Sequence, residues 1–204
     1  QLGDGGTNWK AIPGQIGADS DWMDVAAGGY HTLALKTDGT LWGWGANSSG
    51  QLGDGSVDAK STPVRIGADN DWASVFAANN FSFALKTDGT LWGWGNNGNG
   101  QLGDGTNIER HSPIQISSAS DWATVSTGYY NTFALKKDGT LWGWGGNDYG
   151  QLGDGTTEAK YTPVLIGTDN QWIAVTAGDH HTLALKSAGP VWGWGTGGIG
   201  ELGD

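Results

Sequence analysis

The chain contains no cysteine. That excludes disulfides, thiolate metal sites and a cysteine nucleophile, and it leaves the compartment open. Basic residues are few: ten Lys and Arg stand against 21 Asp and Glu, for a formal charge of −11. They are scattered, and phosphate neutralisation needs clustered cations. Nucleic acid is therefore excluded as a direct partner at this stage, and an anionic membrane surface with it. The equally dispersed acids read as a solubilising surface. No apolar run approaches the roughly 18 residues of a membrane-spanning helix, and nothing reads as a long amphipathic helix. There is no P-loop, and the glycine-rich strings do not open helices, so no nucleotide cofactor is expected. The first residue is Gln1, inside a phrase that recurs later, so the chain reads as a trimmed or processed fragment.

Glycine and tryptophan are abundant, with 38 and 13 copies in 204 residues. Gln1, Gln51, Gln101, Gln151 and Glu201 each open the phrase LGDG or its truncated form, a period of 50 residues. Trp22, Trp72, Trp122 and Trp172 keep that step. So do Trp42, Trp92, Trp142 and Trp192, and Trp44, Trp94, Trp144 and Trp194; only Trp9 stands outside. A fixed period of this size means copies of one small unit, stacked or arranged in a ring. The repeats are 1–50, 51–100, 101–150 and 151–200 of a single domain, 1–204. The tryptophans, each with a large area to bury, form the expected structural framework.

In the second copy, Trp72 opens a short strand. Phe81 to Lys86 alternates at period two, and Thr90 to Gly95 follows an Asp88-Gly89 turn. Asp-Gly between two β-rich runs is a hairpin signal, read here as a two-residue turn with positive φ at both positions. The fourth copy carries Ala188-Gly189-Pro190 instead, so that turn is expected to differ. Thr62 to Ile66 contains a proline and is assigned an outer edge. Four short antiparallel strands per repeat make an all-β chain and describe a propeller blade; a β-solenoid is the second choice.

The recurring LWGWG, GQLGDGT, Pro-x-x-Ile and Ala-Gly-x-x-His-Thr-Leu-Ala-Leu-Lys resemble the regulator of chromosome condensation repeat along the whole chain. The resemblance implies a β-propeller with one blade's worth of strands per repeat, usually seven repeats where this chain has four. The founding eukaryotic member is an exchange factor for the GTPase Ran. Equal repeat lengths leave no inserted wedge loop here, and near-identical copies look more like bacterial members, whose repeats are binding scaffolds. One such relative inhibits β-lactamases through a ring face.

The strand order leaves the fourth blade without its outer strand, and residues 12–16 resemble one. Those residues are expected to close the blade in the "velcro" manner that protects sheet edges. The favoured arrangement is an eight-bladed homodimeric ring; a four-bladed monomeric ring and an open fragment are the alternatives.

Copies diverge just before the second strand of each unit. Binding candidates there are Tyr30, His31, Asn80, Phe81, Tyr129, Tyr130, Asn131, Asp179, His180 and His181, against the bland reading of drift in exposed loops. A second variable set is 46–49, 96–99, 146–149 and 196–199. A third includes Trp9, Val57, Ile108, Arg110, His111 and Tyr161, with Trp9 packed on a blade edge. Adjacent strand residues point to opposite faces, so Asp179, His180 and His181 do not converge on a metal. The LGDG aspartates lack calcium-site spacing and are read as turn holders. No catalytic constellation is present, so no enzyme is expected. The leading reading is a non-catalytic scaffold binding a protein or ligand. The others are a self-assembling structural repeat without a specific ligand and, third, exchange-factor-like action on a small GTPase.

Overall fold

The computed structural model describes residues 1–198 and 200–203. Ile199 of the second variable set and Asp204 of the last LGDG phrase lie outside the described residues. The elements are all β-strands. The first sheet is β1 (Trp22–Ala27), β2 (His31–Lys36), β3 (Leu41–Gly45) and β4 (Lys60–Arg65), in that spatial order. The second is β5 (Trp72–Ala77), β6 (Phe81–Lys86), β7 (Leu91–Gly95) and β8 (Arg110–Gln115). The third is β9 (Trp122–Thr127), β10 (Asn131–Lys136), β11 (Leu141–Gly145) and β12 (Lys160–Leu165). The fourth has three strands, β13 (Trp172–Ala177), β14 (His181–Lys186) and β15 (Val191–Gly195). Among the described residues no helix is long and apolar enough to cross a membrane.

Two compact units are present. One comprises residues 1–87, 92–96 and 109–114, the other 88–91, 97–108 and 115–204. In the first unit Leu33, Leu35, Leu41, Leu52 and Ile66, on or beside the first sheet, pack against Trp72, Val75, Ala84 and Trp94 of the second sheet. In the second unit, Phe133, Leu135, Leu141, Leu152 and Ile166 meet Trp172 and Ala184 at corresponding positions. Each seam thus joins the trailing face of one blade to the leading face of the next. A β-bulge between Trp22 and Asp24, recurring between Trp72 and Ser74 and between Trp172 and Ala174, lets Trp72 and Val75 share the leading face despite their odd separation.

The framework tryptophans sit within this layout. Trp72 lies edge-on to Trp92 and Trp94 at 5.9 and 6.4 Å. Trp22, Trp122 and Trp172 do the same with Trp42/Trp44, Trp142/Trp144 and Trp192/Trp194. The Lys86 ammonium lies 4.9 and 4.8 Å from the rings of Trp72 and Trp92, a cation–π contact repeated by Lys36, Lys136 and Lys186. The second Trp of each pair reaches back to the LGDG phrase before its blade. Trp44, Trp94, Trp144 and Trp194 donate through Nε1 to the main-chain carbonyls of Gln1, Gln51, Gln101 and Gln151 at 2.8–2.9 Å. The same carbonyls accept from Thr32, Ser82, Thr132 and Thr182 at 2.7–3.1 Å.

The hairpin differs in detail from the sequence reading. Gly39 N donates to Lys36 O, and Lys36 N to Thr40 O, so three residues form the loop. Only Gly39 of this loop has positive φ, +77°, and among the described residues no non-glycine does. This is a type I turn closed by a left-handed glycine. Asp38 contributes an acceptor, taking both the Thr40 N–H and its hydroxyl at 3.0 and 2.7 Å. The fourth copy keeps the same main-chain hydrogen bonds around Ala188-Gly189-Pro190, because glycine is the essential residue and it is retained.

Residues 12–16 close no blade within a single copy of the chain. They form no strand in this chain, and Ile12 is largely exposed. By the 50-residue step the counterparts of β4, β8 and β12 are residues 10–15, and these pair with no sheet. A strand has no ladder without a neighbour, and the outer side of β15 has no strand beside it among the described residues. The outermost faces are uncovered too. Val25 is 66% exposed where Val75 is 5%, and Val191 is 67% exposed where Leu41 is 0%.

Candidate functional site

The turns preceding β2, β6, β10 and β14 each combine one inward and one or two outward side chains. A strand alternates its faces, so residues 31, 33 and 35 share the core side. His31, Phe81 and Asn131 are accordingly buried at 1%, 1% and 0% exposure, and His181 is half-buried. These members of the candidate set point inward rather than towards a binding face. Tyr30, Tyr129 and Tyr130 are exposed, as is Asp179, while Asn80 and His180 are half-buried.

His31 carries distinct chemistry. Its Nε2 lies 2.8 Å from Ser82 Oγ, and that hydroxyl donates its proton to Gln51 O at 2.7 Å. Nε2 is therefore the protonated nitrogen. Nδ1 is buried without a hydrogen-bond partner. Burial pushes the imidazole down from 6.5 to about 4, since a second proton would have neither acceptor nor solvent. The unfolded chain binds this proton from pH 6.5 downward and the folded chain only near 4. Stability is therefore fully present above 6.5 and falls as pH drops towards 4, by up to about 3 kcal/mol. The denaturant midpoint of the wild type is expected to fall relative to that of His31→Phe, the residue found at Phe81, as pH drops from 7 to 4. Parallel profiles would remove this role.

The outward residues meet the second variable set. Tyr30 O, Asn80 O, Tyr130 O and His180 O accept from the N–H groups of residues 46, 96, 146 and 196 at 2.8–2.9 Å. In the second unit these loops converge. Tyr129 and Tyr130 are edge-on at 4.4 Å, Tyr149 lies 4.6 Å from the His180 ring, and a Cβ placed on Gly128 would sit 2.3 Å from Gly178 O. The corner bears exposed Tyr129, Tyr130, Tyr149, Asp148 and Asp179. In the third variable set Trp9 is 85% exposed rather than packed on a blade edge, and Val57, Ile108 and Tyr161 are exposed as well.

Asn47, Asn97 and Asn147 fall within the variable loops by sequence, yet they are buried and structural. Asn47 Nδ2 donates to Asp54 Oδ1 and to the carbonyls of Ser56 and Asp58 at 3.0–3.2 Å, and its Oδ1 accepts from Leu52 N. The signal is available in the sequence, because asparagine recurs there in three copies. Asp54 also takes the N–H and hydroxyl of Ser56, at 2.9 and 2.8 Å, and pairs with Lys60 at 3.2 Å. Burial opposes ionisation of Asp54, but the hydrogen bonds from Ser56, Lys60 and Asn47 hold its carboxyl below the usual range. Asp4, Asp54, Asp104 and Asp154 thus hold turns. Among the described residues, no three His, Asp or Glu side chains come together in a way that could hold a metal ion.

Human WBSCR16 is 25% identical to this chain, with a TM-score of 0.78 over 99% of this chain and 58% of its own. Prp20p from Saccharomyces cerevisiae, described with its binding to Gsp1p and histones, is 25% identical, with a TM-score of 0.76 over 89% of this chain and 46% of its own. Yeast RCC1 (Prp20) bound to Kap60 gives 25% and 0.72 over 85% and 43%. The chain therefore spans about half the length of these three structures. These are human and yeast proteins, and they lend no support to the bacterial affinity suggested by the near-identical copies. The model of the RCC1-like domain matches residues 1–204, and the chain belongs to that family.

Proposed function

We propose that this chain is a non-catalytic, protein-binding repeat domain whose first partner is a second copy of itself. The observation that carries this is the unpaired segment 10–15. It occupies the sequence place of the fourth strands β4, β8 and β12, while the β13–β15 sheet has three strands. In a head-to-tail pair, residues 10–15 of each copy add to β15 of the other. The leading face around Trp22 and Val25 then covers the trailing face around Leu183, Leu185 and Val191. This repeats the seam that joins the first two blades and the one that joins the last two, and it gives an eight-bladed ring. Large uncovered apolar faces of this kind mark association surfaces. Light scattering at micromolar concentration is expected to give twice the 21.2 kDa chain mass. The double variant Val25→Asp/Val191→Asp is expected to return it to the mass of one copy. A wild-type mass of one copy would sink the proposal.

The corner of Tyr129, Tyr130, Tyr149 and His180 supports a second reading, recognition of another protein, since exposed aromatics make effective anchors. The binding of Prp20p to Gsp1p makes exchange-factor-like action on a small GTPase the specific form to test. Acceleration of nucleotide release that is lost in Tyr129→Ala/Tyr130→Ala/His180→Ala would support it; no acceleration at micromolar protein would exclude it.

A further inference from the structure

The lysine between two tryptophans is normally neutralised by its own repeat. Lys36 pairs with Asp19 and Asp21 at 2.7 and 3.1 Å, and Lys86 with Asp69 and Asp71 at 2.7 and 3.0 Å. Hydrogen bonding to Asp19 in particular raises the Lys36 ammonium above its usual range. In the fourth copy Lys186 keeps Asp169, and Gln171 stands in the second place, so a polar side chain of similar reach remains. The third copy departs differently. Its loop reads Ile116-Ser117-Ser118-Ala119-Ser120-Asp121, so the carboxylate of Asp19, Asp69 and Asp169 is replaced by the methyl group of Ala119. Lys136 retains Asp121 at 3.0 Å and lies 4.9 Å from both the Trp122 and Trp142 rings.

A cavity of about 350 Å³ opens there, lined by Ser117, Ser118, Ala119, Trp122, Lys136 and Trp142 among others. Ser117 Oγ accepts from Ala119 N and Trp122 Nε1, each at 3.3 Å, which leaves its proton available to donate. Asp104 also lines the cavity, but its Oδ1 already accepts from Asn97 and from the Thr106 N–H and hydroxyl. Asp121 is the lysine's remaining partner.

We infer that this cavity is a binding site for a carboxylate supplied from outside the repeat, seated where Asp19, Asp69 and Asp169 sit in the other copies. The geometry resembles that of the occupied copies: an ammonium held by two π-faces, one carboxylate already on it, and the second position open. The ligand is an acidic side chain of a bound protein, the terminal carboxylate of a peptide or a small carboxylate, all of which present the same group. The inference stands whether or not the protein dimerises.

The test follows the Trp122 and Trp142 indole N–H resonances at constant ionic strength. Sodium acetate, N-acetylglycine and N-acetylglutamate amide are titrated in, with N-acetylglutamine amide as the neutral control. The carboxylates are expected to shift both signals with millimolar dissociation constants, and glutamine is not. The order of affinity among the three separates side chain, terminus and free anion as the source. Ala119→Asp restores the side chain that the other copies tolerate and is expected to weaken carboxylate binding at least tenfold. Equal binding by wild type and Ala119→Asp, equal shifts with the glutamine control, or no shifts at all would each overturn the assignment.

Discussion

Replacing Trp94 by alanine is expected to cost about 3–5 kcal/mol of stability, the range for deleting a large buried aromatic. Trp94 is fully buried in the first unit's core. Its indole N–H reaches Gln51 O at 2.9 Å, and its ring lies against Gly53, where a Cβ would sit 2.8 Å from Nε1. Alanine removes packing on both blades at once. Trp94→Phe keeps much of the packing and loses the hydrogen bond, and Ser82 still donates to Gln51 O, so a smaller cost of about 1 kcal/mol is expected. Trp9→Ala, at a side chain open to solvent, is expected to stay within about 0.5 kcal/mol. Guanidinium midpoints of the three variants check this order. A Trp94→Ala midpoint near that of Trp9→Ala would mean that the seam contributes little to stability.

The second large effect is expected for Gly39→Ala, which meets two obstacles. The φ of +77° is unfavourable for any side chain, at roughly 1–2 kcal/mol. A Cβ there would also lie 2.1 Å from the Asn70 carbonyl oxygen, main chain that cannot swing aside. Forcing it away adds roughly 1–3 kcal/mol and disturbs the bond from Trp72 N to Gly39 O. Gly189→Ala separates the two contributions. Its φ is +101°, and nothing lies within 4 Å of its Cβ position, so only the conformational part is expected. Similar midpoints for the two variants would show that the hairpin's approach to the next blade is unimportant.

The blade can be read from the sequence because its signals are local. Alternation in Phe81–Lys86, glycine after Asp88 and proline on the outer strand each follow from constraints within a few residues. The candidate site is harder to read, since the turn residues look like one face when taken together. Counting back by twos from Leu35 and Leu33 places His31 inside, and the same parity places Phe81 and Asn131. That signal is present in the sequence. The role of Asn47 cannot be read in full, because its partners are the carbonyls of Ser56 and Asp58, which no side-chain pattern encodes. The segment 12–16 resembles an outer strand, but a resemblance does not supply the neighbour a strand needs.

Because the tryptophan of each blade grips a main-chain carbonyl, the joint does not depend on which side chain the gripped residue bears. At this joint any blade of this type fits any copy of the phrase before it, so the modules are interchangeable there, whereas a seam contact such as His31 with Ser82 belongs to one pair of blades. A gene carrying them can gain, lose or exchange a repeat by recombination without rewriting the neighbour. The same tolerance acts during folding. A nascent blade has several nearly equivalent seats to choose from, and closely similar copies are prone to pair out of turn. Variation at Ala119 and at Tyr129 and Tyr130 lies away from these joints, so individual copies can diverge in binding while remaining exchangeable in assembly.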